Sequence, residues 1–134
     1  MIVVLDTSAA IEFILHRAHQ KSVQSALMKA DSVIAPDMYI PEITNVLWKY
    51  NQFESLKETI CEELIEKSIQ LIDHFESSLE LYREAFQMAC KTRHAVYDAL
   101  YIVLARRNNA LLLSVDKKLN DVAKSHGIKI LNLK

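Results

Sequence analysis

"MIVVLDTSAA", residues 1–10, runs Ile2, Val3, Val4 and Leu5 straight into an aspartate. A short apolar run without alternation is the mark of a strand buried on both faces. Such strands belong to parallel sheets, which need helices above and below them. Asp6 then falls where the chain leaves the sheet, and in open α/β sheets ligands sit outside the carboxyl ends of the strands. No basic segment precedes the apolar run, so it reads as a strand and not as a signal peptide.

Three more runs look the same: "SVIA" at 32–35, "ALLLSV" at 110–115 and "IKILNL" at 128–133. Residues 71–75 are a candidate fifth strand. Helical patterns fill 8–17, 21–29, 37–52, 56–72, 79–91, 95–108 and 117–126. In the third of these, Ile43, Val46, Leu47 and Tyr50 share one face at i, i+3, i+4 and i+7. Asp37 is its expected N-cap, which makes Pro41 tolerable in the first turn. Gly127 is a natural stop for the last helix. One glycine and two prolines in 134 residues leave no linker and too few turns for an all-β fold. The expectation is one domain, 1–134, an α/β three-layer sandwich with a central parallel sheet of four to five strands flanked by helices.

Hydrophobic residues make up 51% of the chain, enough for a full core. No run of 18 apolar residues is present, so nothing is expected to span a membrane. A net charge of −1 and a pI of about 6.5 exclude coating nucleic acid by bulk electrostatics. Cys61 and Cys90 lack metal-type spacing and read as free buried thiols in a reducing, cytoplasmic setting.

"VYDALYIVLA", 96–105, is apolar apart from Asp98 and the tyrosine hydroxyls. An ionised carboxylate on such a helix needs a partner. Asp6 and Asp116 follow strands, Glu42 lies early in the helix after the second strand, and Asp98 opens the apolar helix. All four acids can therefore meet at one end of the sheet. Singly, Asp6 and Asp116 also read as N-caps, and Asp98 and Glu42 as acids favoured by helix N-termini. Their convergence is what those readings leave unexplained. Carboxylates gathered without an adjacent arginine suit a hard divalent cation, Mg²⁺ or Mn²⁺. Such a cation activates water and offsets phosphate charge. Thr7, Ser8 and Ser114 flank the acids and are candidates to hold metal-bound waters. No glycine-rich phosphate loop is present, and no Ser–His–Asp or Cys–His set emerges.

The stretches "LDTSA", "PEITNVL", "YDALYIVLA" and "LLLSVDKKL" together resemble the PIN-domain ribonucleases, and among them the VapC-type toxins of toxin–antitoxin pairs. The resemblance runs from residue 1 to about residue 133. It implies a parallel five-stranded sheet and Mg²⁺- or Mn²⁺-dependent cleavage of single-stranded or structured RNA. It also implies a 5′-phosphate and 3′-hydroxyl product, homodimers and an antitoxin partner. Carried over by position, the catalytic and metal-binding acids are Asp6, Glu42, Asp98 and Asp116, with Asn45 at a polar position one turn after the glutamate. The alternatives are a solitary RNA-processing nuclease of the same family and an inactive binding module with an acidic pocket. A receiver-like or phosphatase domain is disfavoured, because no second acid follows Asp6.

Lys117 and Lys118, just beyond Asp116, are the best-placed phosphate contacts. Lys91, Arg93, Arg106 and Arg107 are expected on a solvated face. His16 and His19 read as a solvated helix face, His94 as a cap of the apolar helix, and Trp48, Tyr50 and Phe53 as core.

Overall fold

The computed structural model describes residues 1–133. Among them the elements run β1 (Ile2–Leu5), α1 (Thr7–Ile14), α2 (Gln20–Lys29), β2 (Ser32–Pro36), α3 (Tyr39–Glu54) and α4 (Glu58–Gln70). They continue with β3 (His74–Glu76), α5 (Ser78–Thr92), α6 (Val96–Asn108), β4 (Leu111–Leu113) and α7 (Lys117–Ser125).

The strands pair in parallel in the order β3-β2-β1-β4. Val3 sits beside Val33 on one side and Leu111 on the other. The chain steps outward from β1 to β2 to β3, then crosses back to β4. The order therefore reverses between β1 and β4, the kind of switch point where α/β sheets open a crevice.

Both faces of the sheet are apolar, and the alternation hidden in the continuous runs sorts them. Val4, Ile34 and Leu112 pack with α5, α6 and α7. Val3, Leu5, Val33, Ala35, Leu111 and Leu113 pack with α1 to α4. Helix α6 is buried all round from Ala99 to Ala105, as an apolar helix should be. The result is the expected three-layer α/β sandwich.

Several expectations are corrected. Residues 128–133 form no strand. Ile130 makes one isolated bridge to Leu112, and the Leu112 amide donates to the Lys129 carbonyl at 2.9 Å. The run lies outside β4, which offers only three residues to pair with. The edge strand falls instead at His74–Glu76, pairing Ile34 with His74. It overlaps the candidate at 71–75 by two residues. With exposed His74 and half-buried Glu76 around Phe75, it is too short and polar to stand out as an apolar run, as suits an edge.

Asp37 is not the cap of α3. Met38 holds that place without a side-chain bond, while the Asp37 carboxylate accepts from the Ser78 amide at 3.1 Å and from the Ser78 hydroxyl. It ties the end of β2 to the start of α5. Helix α1 stops at Ile14 because His16 takes a φ of +54°. His16 and His19 thus lie in the turn before α2, with His19 as its N-cap, and not on a helix face. His94 is no cap either, since Ala95 precedes α6 and no side chain closes it. Gly127, at φ +74°, does end α7 as expected. Its amide bonds the Lys124 carbonyl and the Ile128 amide bonds the Ala123 carbonyl, closing a Schellman motif.

Trp48 and Phe53 are 51% and 74% exposed, not core. Burial on α3 stops at Leu47, and these two rings pack on each other edge to face at 6.2 Å. Tyr50 is half-buried under the Arg17 guanidinium. Cys61 is buried, but Cys90 is exposed.

Candidate functional site

β1 delivers Asp6 and β4 delivers Ser114 and Asp116 to the two sides of the switch point. The link is made by backbone: the Asp6 amide donates to the Leu113 carbonyl at 3.2 Å. Both acids cap the helices that follow them. Asp6 Oδ1 accepts from the Ala9 amide at 3.0 Å, and Asp116 Oδ1 accepts from the Lys118 and Leu119 amides at 2.9 and 3.3 Å. Capping and convergence hold together, so the cap reading does not displace the pocket.

Asp6 is the acid driven deepest, 5% exposed. Its Oδ1 also accepts from Ser8 Oγ at 2.7 Å, and its Oδ2 accepts from Ser114 Oγ at 2.7 Å. The direction of these bonds follows from their surroundings. Ser8 Oγ accepts from the Val115 amide at 3.1 Å and Ser114 Oγ from the Asp116 amide at 3.0 Å. Each hydroxyl proton is therefore free to point at the carboxylate. Ser8 and Ser114 serve as donors to Asp6. Even so, burial pushes the Asp6 carboxyl up to about 6 from its ordinary 3.8. The three donors oppose the shift, and the charge of Asp116 adds to it.

Glu42, three residues into α3, is half-buried, and its Oε1 accepts from the Tyr101 hydroxyl at 2.6 Å. Burial raises its carboxyl; the tyrosine bond lowers it, and Asp6 and Asp98 raise it. Asp98 is half-buried at the start of α6. Burial raises it first and Asp116 second, with His94 pulling the other way. Burial outweighs like charge at each of these three acids. Mutual repulsion alone would not have suggested that ranking.

The structure thus brings Asp6, Glu42, Asp98 and Asp116 into one electrostatic neighbourhood at the carboxyl edge. Among the described residues none of them forms an ion pair with a lysine or arginine. Nor do three His, Cys, Asp or Glu side chains close on one point as a ready-made metal cage. The pocket is open.

Other expected residues are less engaged. Thr7 is half-buried as the first residue of α1, and Asn45 is exposed one turn beyond Glu42. Lys117 and Lys118 are exposed, Lys117 turned along α7 to Asp121 Oδ2 at 3.5 Å. Arg106 and Arg107 both hold Glu84, at 2.9 and 3.1 Å, away from the acids. Two participants were missed. Tyr101 was findable, because a phenol on a core helix needs a partner for its O–H. Asn120 was not: its Nδ2 donates to the Ser114 carbonyl at 2.9 Å, fixing the turn that carries Asp116, while its Oδ1 is buried without a partner.

A three-layer α/β fold with four acids gathered at its switch point defines the class. The sequence profile of the PIN domain matches residues 3–125, and the chain belongs to that family. It is 27% identical over 121 residues to Ribonuclease VapC3 of Pyrobaculum aerophilum, covering 89% of this chain and 92% of that protein. Two solved structures share the fold. VapBC2 of Rickettsia felis, bound to a DNA fragment from its promoter, matches with a TM-score of 0.70 at 15% identity, over 100% of both chains. VapC20 of Mycobacterium tuberculosis, described as a sarcin–ricin loop cleaving toxin, matches at 0.63 and 13% identity, over 89% of this chain and 93% of the other. Among the described residues no helix is long and apolar enough to cross a membrane.

Proposed function

We propose that this chain is a divalent-metal-dependent endoribonuclease and the toxin of a toxin–antitoxin pair. The observation that carries the reading is the cluster itself: four acids that pair with no lysine or arginine among the described residues, one of them buried. The four acids present oxygen donors, which fits Mg²⁺ or Mn²⁺. That no three of these side chains close on one point among the described residues is compatible with Mg²⁺, which keeps several waters and takes one or two carboxylates. The relative named as a ribonuclease and the neighbour described as a toxin support the same reading.

Asp6, Asp98, Asp116 and Glu42 would hold the ion. When bound, it supplies a water activated for attack and neutralises charge on the scissile phosphate. The chain's own part is to present oxygens. Asp116 keeps Oδ2 free because its two amide bonds use Oδ1, and Glu42 keeps Oε2 free because Tyr101 uses Oε1. Ser8 and Ser114 hold Asp6 in a single orientation. In-line attack forms the new P–O bond as the bond to the 3′ oxygen breaks, leaving a 5′-phosphate and a 3′-hydroxyl. An antitoxin partner, a homodimer and a cytoplasmic location belong to the same proposal.

The test is RNA cleavage by purified protein. Cleavage is expected with Mg²⁺ or Mn²⁺, not with Ca²⁺, whose coordination is larger and looser, and not in excess EDTA. Full cleavage in EDTA would sink the metal reading. A folded protein inert with every metal would leave a binding module. Expression alone should arrest growth, and Asp6→Asn should relieve the arrest.

Lys117 and Lys118 flank the pocket as RNA-backbone contacts. Replacing both with alanine in a catalytically dead background should flatten the salt dependence of RNA binding by about one unit for each phosphate no longer neutralised. Lys118, free of the Asp121 pair, should account for more of the change. An unchanged slope would mean that both are only solvated.

A further inference from the structure

Tyr101 stands on α6 three residues after Asp98, on the same side of the helix. It is 3% exposed, within the apolar layer formed by α5, α6 and α7. The other deeply buried tyrosine, Tyr39, gives its hydroxyl proton to a backbone carbonyl, that of Ser68, at 2.7 Å. Tyr101 donates instead to a side-chain acid, Glu42 Oε1, at 2.6 Å. Glu42 is on α3, whose buried side chains belong to the opposite layer. The bond therefore joins the two helical layers at the acidic edge of the sheet.

Glu42 has a physical reason to leave the pocket. Asp6 and Asp98 act on it with like charge, and among the described residues no lysine or arginine pairs with it. Its long, flexible arm is only half-buried, so an outward swing to solvent is open to it. The Tyr101 bond is the one hydrogen bond its side chain makes among the described residues.

We propose that Tyr101 is a positioning residue whose hydroxyl tethers Glu42 Oε1 against the repulsion of the neighbouring acids, keeping Oε2 as the single oxygen Glu42 offers in the pocket. The proposal rests on the reading of that pocket as a divalent-cation site. Its consequence is specific: Tyr101 acts on metal affinity and turnover, through Glu42, and not on RNA binding.

The test compares wild type with Tyr101→Phe, Glu42→Ala and the double variant. Mn²⁺ binding is measured without RNA by electron paramagnetic resonance, beside kcat and KM for RNA and unfolding in EDTA. Tyr101→Phe is expected to weaken Mn²⁺ binding about tenfold and lower kcat by a similar factor, as loss of a ligand-orienting partner does. KM for RNA should stay within about twofold. On the Glu42→Ala background the same change should add nothing. A drop in melting temperature with Mn²⁺ affinity unchanged, or an equal loss on both backgrounds, would overturn the proposal.

Should Tyr101→Phe fail to fold, Glu42→Asp leaves Tyr101 in place and shortens the arm out of its reach. It should reproduce the loss of Mn²⁺ affinity, and unchanged affinity would overturn the tether. A wild type that neither binds Mn²⁺ nor cleaves RNA overturns the reading of the pocket and the proposal with it. A wild type that does both, indistinguishable from Tyr101→Phe, overturns the proposal alone.

Discussion

Asp6→Asn is expected to reduce RNA cleavage at least about a thousandfold, a barrier increase of about 4 kcal/mol, while leaving the metal-free protein as stable as wild type or more so at pH 7.5. The two halves have one cause. Asp6 is buried, and burial pushes its carboxyl up to about 6. A folded-state value above the ordinary 3.8 means that the protonated form suits the fold. The stability this brings is fully present below 3.8 and is lost as pH rises through about 6. A shift of that size corresponds to about 3 kcal/mol. At neutral pH the protein therefore carries a charge that its own fold disfavours and that a bound cation would offset.

Asparagine removes that charge at nearly constant shape. Its oxygen can keep the Ser8 and Ala9 donors, and its amide can donate to the Ser114 hydroxyl. Urea unfolding in EDTA from pH 5 to 7.5 reads the difference. Wild type should lose stability across the range and the variant less, the remaining slope coming from Glu42 and Asp98, which shift the same way. A flat wild-type profile, with the variant weaker at pH 7.5, would make Asp6 a structural anion held by its donors.

Ser114→Ala is expected to cost about 2–3 kcal/mol of stability. Ser114 is fully buried, and its hydroxyl stands between the Asp6 carboxylate and the Asp116 amide. It donates to Asp6 Oδ2 and accepts from the Asp116 amide. Alanine removes the buried donor to Asp6 Oδ2 and the acceptor of the half-buried bond from the Asp116 amide. In the Asp6→Asn background the cost should shrink, because a bond to a charged oxygen becomes a bond between neutral groups. A double-mutant cycle by urea unfolding measures that coupling. Additive losses would place the effect in packing alone, and no loss at all would mean that water takes the place of the hydroxyl.

The pocket was legible because its acids occupy positions defined by local pattern. Asp6 and Asp116 each end an apolar run, and Asp98 interrupts a helix that is otherwise apolar. The edge strand at His74–Glu76 was not legible to the same degree, since three partly exposed residues bury too little to leave a hydrophobic signature. Residues 128–133 misled for the opposite reason. Their composition suits a strand, but beside β4, which stops at Leu113, they make only the single bridge from Ile130 to Leu112. Trp48 and Phe53 misled because aromatic residues usually mark a core, whereas the buried positions of α3 are Tyr39, Ile43 and Leu47.

The alternation of strands and helices, the parallel sheet that doubly apolar strands demand, and the edge at which the acids meet can all be read along the chain. They follow from periodicity and from which residue comes after which. How the acids differ from one another is set by packing in three dimensions. Local pattern singled out Asp98, the one charge in the apolar stretch 96–105, yet Asp98 is half-buried and Asp6 lies deepest. Packing also makes Ser8 and Ser114 neighbours on one carboxylate and puts Tyr101 on Glu42. The pairs Ser8 with Ser114, Asp6 with Ser114 and Glu42 with Tyr101 are 106, 108 and 59 residues apart along the chain. Burial and hydrogen-bond partnership depend on what the rest of the chain packs around a group, and no local window of sequence contains that.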